Sequence, residues 1–171
     1  MSAPETSHTP DTHPHTHPLP MERPAESAQA EAPEPLVYAM EIVVRDDDID
    51  ILGHASNIVF VRWIQEVAVG HSAAVGLGVD EYKRLGAVFV VVRHEIDYLR
   101  SALRGEVLEA RTWISAVMAA KCLRRTDIVR KADGVILAKG LTTWGFVAID
   151  NGRPKRILPS VVEAFGRYVH P

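Results

Sequence analysis

With 171 residues, of which 47% are apolar and 24% charged, the chain has enough material for one domain with a sizeable core. A net charge of −3 and the lack of any dense stripe of Lys and Arg exclude an electrostatic nucleic-acid binder. A single cysteine, Cys122, excludes an internal disulfide framework and a thiolate zinc site, and points to a reducing, cytoplasmic setting. No run approaches the ~18–20 apolar residues that span a bilayer, and the N-terminus lacks the basic-then-apolar order of a secretion signal.

Residues 1–35 stand apart. They hold eight of the 11 prolines, four of the eight histidines and a net charge of −5, which leaves +2 for the remainder. Apolar side chains are scarce and no periodicity is visible, so the segment is expected to be a disordered, acidic, His/Pro-rich tail. Its run His13-Pro14-His15-Thr16-His17 has the composition of a loose transition-metal binder, although a solvated extension is the simpler reading.

The domain is expected over residues 36–171. Leu36 to Arg45 is rich in β-formers and reads as a strand. A helix is predicted from about Asn57 to Val75, with Ser56 as N-cap. Val59, Phe60, Trp63, Ile64, Val67 and Ala68 recur at spacings of three and four and form its apolar face, opposite Arg62, Gln65 and Glu66. Gly76 and Gly78 end it, and a short helix from about Val79 to Leu85 follows. After Gly86 the period changes to two. Ala87–Leu99, Gly105–Val117, Lys121–Arg130 and Val135–Ile149 read as strands, with Asp133-Gly134 as a hairpin turn. A C-terminal helix is predicted after Pro159. Strand, long helix and four more antiparallel strands make an α+β domain.

Between the first strand and the long helix lies Asp48-Ile49-Asp50-Ile51-Leu52-Gly53-His54-Ala55-Ser56-Asn57. It places two carboxylates, an imidazole, a carboxamide and a glycine at a strand-to-helix junction. Rigidly held loops are where chemistry is usually placed, and the first N–H groups of a helix suit a developing oxyanion. Asp48, two residues before Asp50, reads as structural. Core metal ligation is not expected, since His54, His71, His94 and the carboxylates lack ligand spacing. Cys122 reads as a core filler.

The signature Arg45-x-x-Asp48-x-Asp50-x-x-Gly53-His54-x-x-Asn57, then a helix with Trp63 and Glu66, resembles the 4-hydroxybenzoyl-CoA thioesterase-like family of hotdog-fold acyl-CoA thioesterases. The stretches Val92-Arg93-His94-Glu95-Ile96-Asp97-Tyr98-Leu99-Arg100 and Gly152-Arg153-Pro154-x-Arg156-Ile157-x-Pro159 resemble it as well. The resemblance covers roughly Tyr38 to Val161. It implies an antiparallel sheet wrapped around a long central helix, and a homodimer or dimer of dimers in which two sheets join. It also implies interface active sites, an acyl-CoA or acyl-carrier-protein substrate, and no cofactor beyond the coenzyme A of the substrate.

Under that resemblance Asp50 occupies the position of the nucleophile or general base, against the bland role of capping a turn. His54 would orient the carboxylate or donate to the thioester oxygen. Asn57 would act through its backbone N–H, and Gly53 would permit close approach or positive φ. Some family members carry the carboxylate on the helix, which makes Glu66 the alternative; an ion pair with Arg62 is its structural explanation. Arg93, Lys121, Arg124 and Arg125 are weak candidates for coenzyme A contacts, because Ala119 and Ala120 stand where some members have arginine. Two rivals are a hotdog enoyl-CoA hydratase or dehydratase and a non-catalytic acyl-CoA-binding protein. The hydratase pattern usually places its histidine five residues after an aspartate, whereas here the separation is four.

Overall fold

The computed structural model describes residues 36–170; the expectations for residues 1–35 lie outside the described residues. The elements are β1 (Tyr38–Val43), α1 (Asn57–Ala74), α2 (Val79–Leu85), β2 (Ala87–Tyr98), β3 (Val107–Val117), β4 (Lys121–Arg130), β5 (Ile136–Ala148) and α3 (Pro159–Phe165). The five strands form one antiparallel sheet in the order β1-β3-β4-β5-β2. Strands β3, β4 and β5 follow one another as a meander, while the segment holding α1 and α2 carries the chain from one edge to the other. The β4–β5 turn uses Gly134 at φ +72, in the left-handed region that glycine enters without a Cβ penalty. Among the described residues no helix is long and apolar enough to cross a membrane.

The apolar face read from the sequence is the buried face of α1: Val59, Phe60, Trp63, Ile64, Val67 and Ala68, extended one turn by His71. It packs mainly on β1 and β3. Close approach to the sheet is set partly by Gly140 on β5, where a Cβ would stand 2.9 Å from Cδ1 of the fully buried Ile64.

The core is divided. One cluster gathers Val59, Phe60, Trp63, Ile64 and Val67 of α1 with Leu108, Ala110, Ile128, Leu137 and Ala138. A second gathers Leu77, Tyr82, Ala87, Ile114, Cys122, Phe146, Val161 and Phe165. A belt of buried polar groups runs between them: His71, Thr112, Arg124, Thr126 and Thr142. The sheet register explains it. On β3 the inward positions run Leu108, Ala110, Thr112, Ile114, and on β4 Ile128, Thr126, Arg124, Cys122, so both strands turn polar at the same level. Thr126 Oγ1 donates to Thr112 Oγ1 at 3.1 Å, and Thr112 donates to the Arg125 carbonyl at 2.8 Å. Arg124 Nη1 donates to His71 Nδ1 at 2.8 Å, which leaves the proton of neutral His71 on Nε2. Burial, reinforced by the Arg124 cation, lowers the His71 pKa to about 3.

Two expectations follow. Gly140→Val drives a branched side chain into Ile64 and should cost about 1–3 kcal/mol by overpacking, measured by chemical denaturation. The double substitution Gly140→Val with Ile64→Ala should recover part of that loss, because the two sites touch. Neutral His71 also makes folding expel a proton below the unfolded-state value of 6.5. The unfolded chain then binds more protons than the folded one, so stability rises with pH from about 3 to 6.5 and flattens above. The loss of melting temperature between pH 6.5 and 5 should therefore be smaller in His71→Gln than in the wild type.

Candidate active site

The loop from Asp48 to Ser56 closes as a small hairpin. Ser56 N donates to the Asp48 carbonyl at 3.0 Å, Ile49 bridges Ala55, and Asp50 N donates to the His54 carbonyl at 3.0 Å. Gly53 turns the tip at φ +82 and donates its N–H to the Asp50 carbonyl at 3.0 Å. The rungs pair residue 50 with 54 and residue 48 with 56, so Asp50 lies two rungs, about 7 Å of strand, from the N-cap of α1.

The two carboxylates have different surroundings, although residues two apart in an extended segment share a face; Asp48 ends a 3₁₀ turn over Asp46–Asp48, whereas Asp50 starts the hairpin tip. Asp48 is buried; its Oδ2 accepts from Arg45 N at 2.8 Å and its Oδ1 from Arg62 Nη2 at 2.5 Å. It binds the end of β1, the loop and α1 together. Asp50 stays partly exposed: Oδ1 accepts from Leu52 N at 2.8 Å, as in an Asx turn, and His54 Nδ1 lies 3.9 Å away. That separation exceeds a hydrogen bond but keeps the imidazole within electrostatic reach. Asp50 Oδ2 has no hydrogen-bond partner among the described residues.

Asn57 is the first residue of α1, and both it and Gly53 are exposed. Ser56 occupies the N-cap without a side-chain cap bond, and the first turn holds no acid. Val59 N is taken by the Ser56 carbonyl at 3.0 Å, while the N–H groups of Asn57 and Ile58 have no partner among the described residues. The start of an 18-residue helix thus offers two donors and a positive dipole end beside the Asp50 turn. Ile51, Leu52 and Ile58 surround it with exposed apolar surface.

Glu66 sits nine residues into α1, about 13 Å along its axis, and its Oε1 lies 3.5 Å from Arg62 Nε. It is therefore held in the ion pair its spacing suggested. Of the four cations read as coenzyme A candidates, Arg93, Lys121 and Arg125 are exposed. Arg93 aligns with Thr143 and Leu123 across the strands, so all three cations occupy the outer face of the sheet. Arg93 is paired with Glu95 at 3.2 Å. Arg124 differs: it is 4% exposed, faces the core and cannot share a surface with them. Burial raises the Cys122 thiol to about 11, which fits a filler rather than a nucleophile. Among the described residues, no group of three His, Cys, Asp or Glu converges as metal ligands would.

Several known proteins are similar to this chain. The chloroplastic acyl-acyl carrier protein thioesterase ATL3 of Arabidopsis thaliana is 24% identical over 135 residues, which are 77% of this chain and 69% of that protein. A putative oleoyl thioesterase of Lactobacillus plantarum superposes with a TM-score of 0.74 at 23% identity over 78% of this chain. The chain spans about half of that protein, 52%. Slr0204 of Synechocystis, a 1,4-dihydroxy-2-naphthoyl-CoA thioesterase, gives 0.69 at 19% identity, covering 76% of this chain and 96% of that one. At these identities the structural likenesses speak for the fold. A family model described as the thioesterase-like superfamily matches residues 44–165, from the end of β1 through α3. Matched over more than half its length, the chain belongs to the thioesterase-like superfamily, whose name states thioester hydrolysis.

Proposed function

We propose that the protein hydrolyses an acyl-CoA or acyl-carrier-protein thioester to free acid and thiol, with Asp50 as the reacting carboxylate. The observation that carries this reading is the pairing of a partly exposed carboxylate, one oxygen unengaged, with an uncapped helix start two rungs away. A thioester needs little more. Its carbonyl is electrophilic and thiolate leaves readily, so one base or nucleophile and two oxyanion donors suffice.

The carbonyl oxygen rests on the Asn57 and Ile58 N–H groups. Asp50 takes a proton from water as that water adds to the carbonyl carbon, or adds directly and is released by water from an anhydride. The tetrahedral oxyanion is held at the helix start until the C–S bond breaks. In the first route the thiolate leaves with the proton that Asp50 took from water. In the second it leaves as thiolate, and the water that cleaves the anhydride gives the acid, frees the Asp50 carboxylate and supplies the proton. His54 positions or polarises the carboxylate and the water. Gly53 supplies the positive φ that lets the turn fold beneath them. This scheme uses no metal or redox cofactor. The carrier's phosphates would meet Lys121 and Arg125 before Arg93, which Glu95 already occupies.

The same reading takes the sheet as curved about α1 in a hotdog arrangement and the protein as a cytoplasmic homo-oligomer. Strand β2 supports assembly: it is a 12-residue strand at the sheet edge, its outer backbone unpaired among the described residues, and Val90 and Val92 are exposed on it. A long apolar edge is a template for another strand. Antiparallel pairing of two β2 strands about a two-fold axis closes the edge and sets the second α1 antiparallel to the first.

Asp50→Asn should lower kcat for thiol release from acyl-CoA or acyl-carrier-protein thioesters by about 10²–10⁴-fold with an unchanged melting curve. Glu66→Gln should change kcat by less than about threefold, the size of a lost surface pair. Wild-type turnover in Asp50→Asn sinks the mechanism, and the absence of thiol release from every thioester returns the chain to a binding role. Val90→Asp, an exposed change, should convert the dimer to a monomer in sedimentation. A dimer that survives it does not form through β2.

A further inference from the structure

A cavity of about 210 Å³ opens between the C-terminal half of α1, α2, the start of β2 and the sheet. Its walls are almost wholly apolar, Phe89 among them, with Arg124, Ser72, Tyr82 and Trp144 as the polar exceptions. A 150 Å³ apolar cavity holds a benzene, so this one has room for a chain of about eight carbons.

Arg124 is out of place in such a setting. It is 4% exposed, and among the described residues no carboxylate pairs with it. Among the described residues its hydrogen bonds run from Nη1 alone, to His71 Nδ1 at 2.8 Å and Thr112 Oγ1 at 3.3 Å. Phe165 lies under the guanidinium at 5.5 Å. Burial lowers its pKa only to about 10, so the cation persists at neutral pH. A guanidinium has five donors in a fork that matches a carboxylate, and here most of the fork is unused. The Trp144 indole N–H, in the same cavity wall, is likewise buried without a partner among the described residues. A buried cation without an anion is costly, and a similar-sized apolar residue would be more stable. An internal role in holding His71 and Thr112 engages only one nitrogen.

We propose that this cavity binds a carboxylate at the end of a six-to-eight-carbon apolar chain, with the carboxylate on the free edge of Arg124. Two sources carry that chemistry: a free alkanoate, and an acyl thioester whose far end bears a second carboxylate. The latter deepens, and rests on, the thioesterase reading. Ser72 lies 15 residues beyond Asn57, about 22 Å along α1, too far for the Asp50 of the same chain. Tyr98, at the end of β2, donates its O–H to the Asn57 carbonyl, so antiparallel pairing of two β2 strands, as proposed above, would set the other copy's Asp50 loop toward the start of β2 and this cavity.

Calorimetric titration of the full chain with octanoate and with octan-1-ol tests the site without reference to activity. Octanoate should bind at least about tenfold more tightly than the alcohol, as expected for a charge-assisted pair. Arg124→Met should lose that preference and melt no lower than the wild type. Ala73→Trp, at an exposed position of the cavity mouth, should block octanoate even if Arg124→Met does not fold. Equal affinity for acid and alcohol, a preference that survives Arg124→Met, or octanoate binding unaffected by Ala73→Trp overturns the proposal. Thiol release from the mono-coenzyme A thioester of octanedioic acid, compared with octanoyl-CoA, separates the sources. A preference for the dioic thioester that vanishes in Arg124→Met assigns the site to the acyl end. Competition by octanoate without that preference assigns it to the free acid. Selective octanoate binding without any thioester turnover keeps the site and removes the thioesterase reading; turnover without selective binding does the reverse.

Discussion

The buried carboxylate of Asp48 is the constraint on which the candidate site depends. The loop between β1 and α1 closes as a small hairpin that sets the partly exposed Asp50 two rungs from the helix start. Asp48 holds it with three polar anchors: its carboxylate takes Arg45 N and Arg62, and its carbonyl takes Ser56 N. The charge is compensated where it is buried, and removing one partner would strand the other. With Asp48 fixed in the interior, Asp50 stays partly exposed and engages only Leu52 N through one of its oxygens. At the helix start Ser56 holds the N-cap place without a side-chain cap bond, and the Asn57 and Ile58 N–H groups have no partner among the described residues.

Much of this was legible in the sequence. The α1 stripe names its own buried face because six apolar residues at spacings of three and four leave no other way to pack. The predicted α2 and β4 coincide with the observed elements, and β2, β3 and β5 differ by one or two residues at their ends, where pairing rather than propensity decides. Strand β1 is shorter than expected at both ends, since only residues 38–43 face a register partner on β3. The Asp-x-Asp motif marked the loop, but its spacing puts both carboxylates on one face of an extended segment and does not tell the buried one from the exposed one. The resemblance to the 4-hydroxybenzoyl-CoA thioesterase-like family agrees with the family match.

Arg124 shows where residue type misleads. Read as a cation it belonged with Arg93, Lys121 and Arg125 on a surface. Read by the alternation of β4 it belongs with Cys122, Thr126 and Ile128, which all face the core. The alternation was the stronger signal, because a strand cannot turn one residue over without a bulge, and β4 from Lys121 to Ile128 has none opposite β5. His71 carries the same lesson on α1: it lies four residues after Val67 and three after Ala68, on the stripe, though it is not apolar. Neither residue betrays its partner locally, since they are 53 positions apart and meet only when helix and sheet pack.

The polar belt also bears on what the fold is for. A domain selected for stability alone would carry one continuous apolar core across β3 and β4, as the neighbouring rows on both sides do. The threonines of the belt are satisfied, Thr126 by Thr112, Thr112 by the Arg125 carbonyl and Thr142 by His94, and cost little. Arg124 is the exception, because its desolvation is offset only by a neutral imidazole, a hydroxyl and an aromatic face. Stability given up at one buried position, beside a cavity in an otherwise tightly packed sheet, is the pattern that binding sites leave in a fold. Asp48 and Arg124 are thus opposite cases of one rule. The first buried charge is matched within the chain and builds the loop, while the second is left for something the chain does not contain.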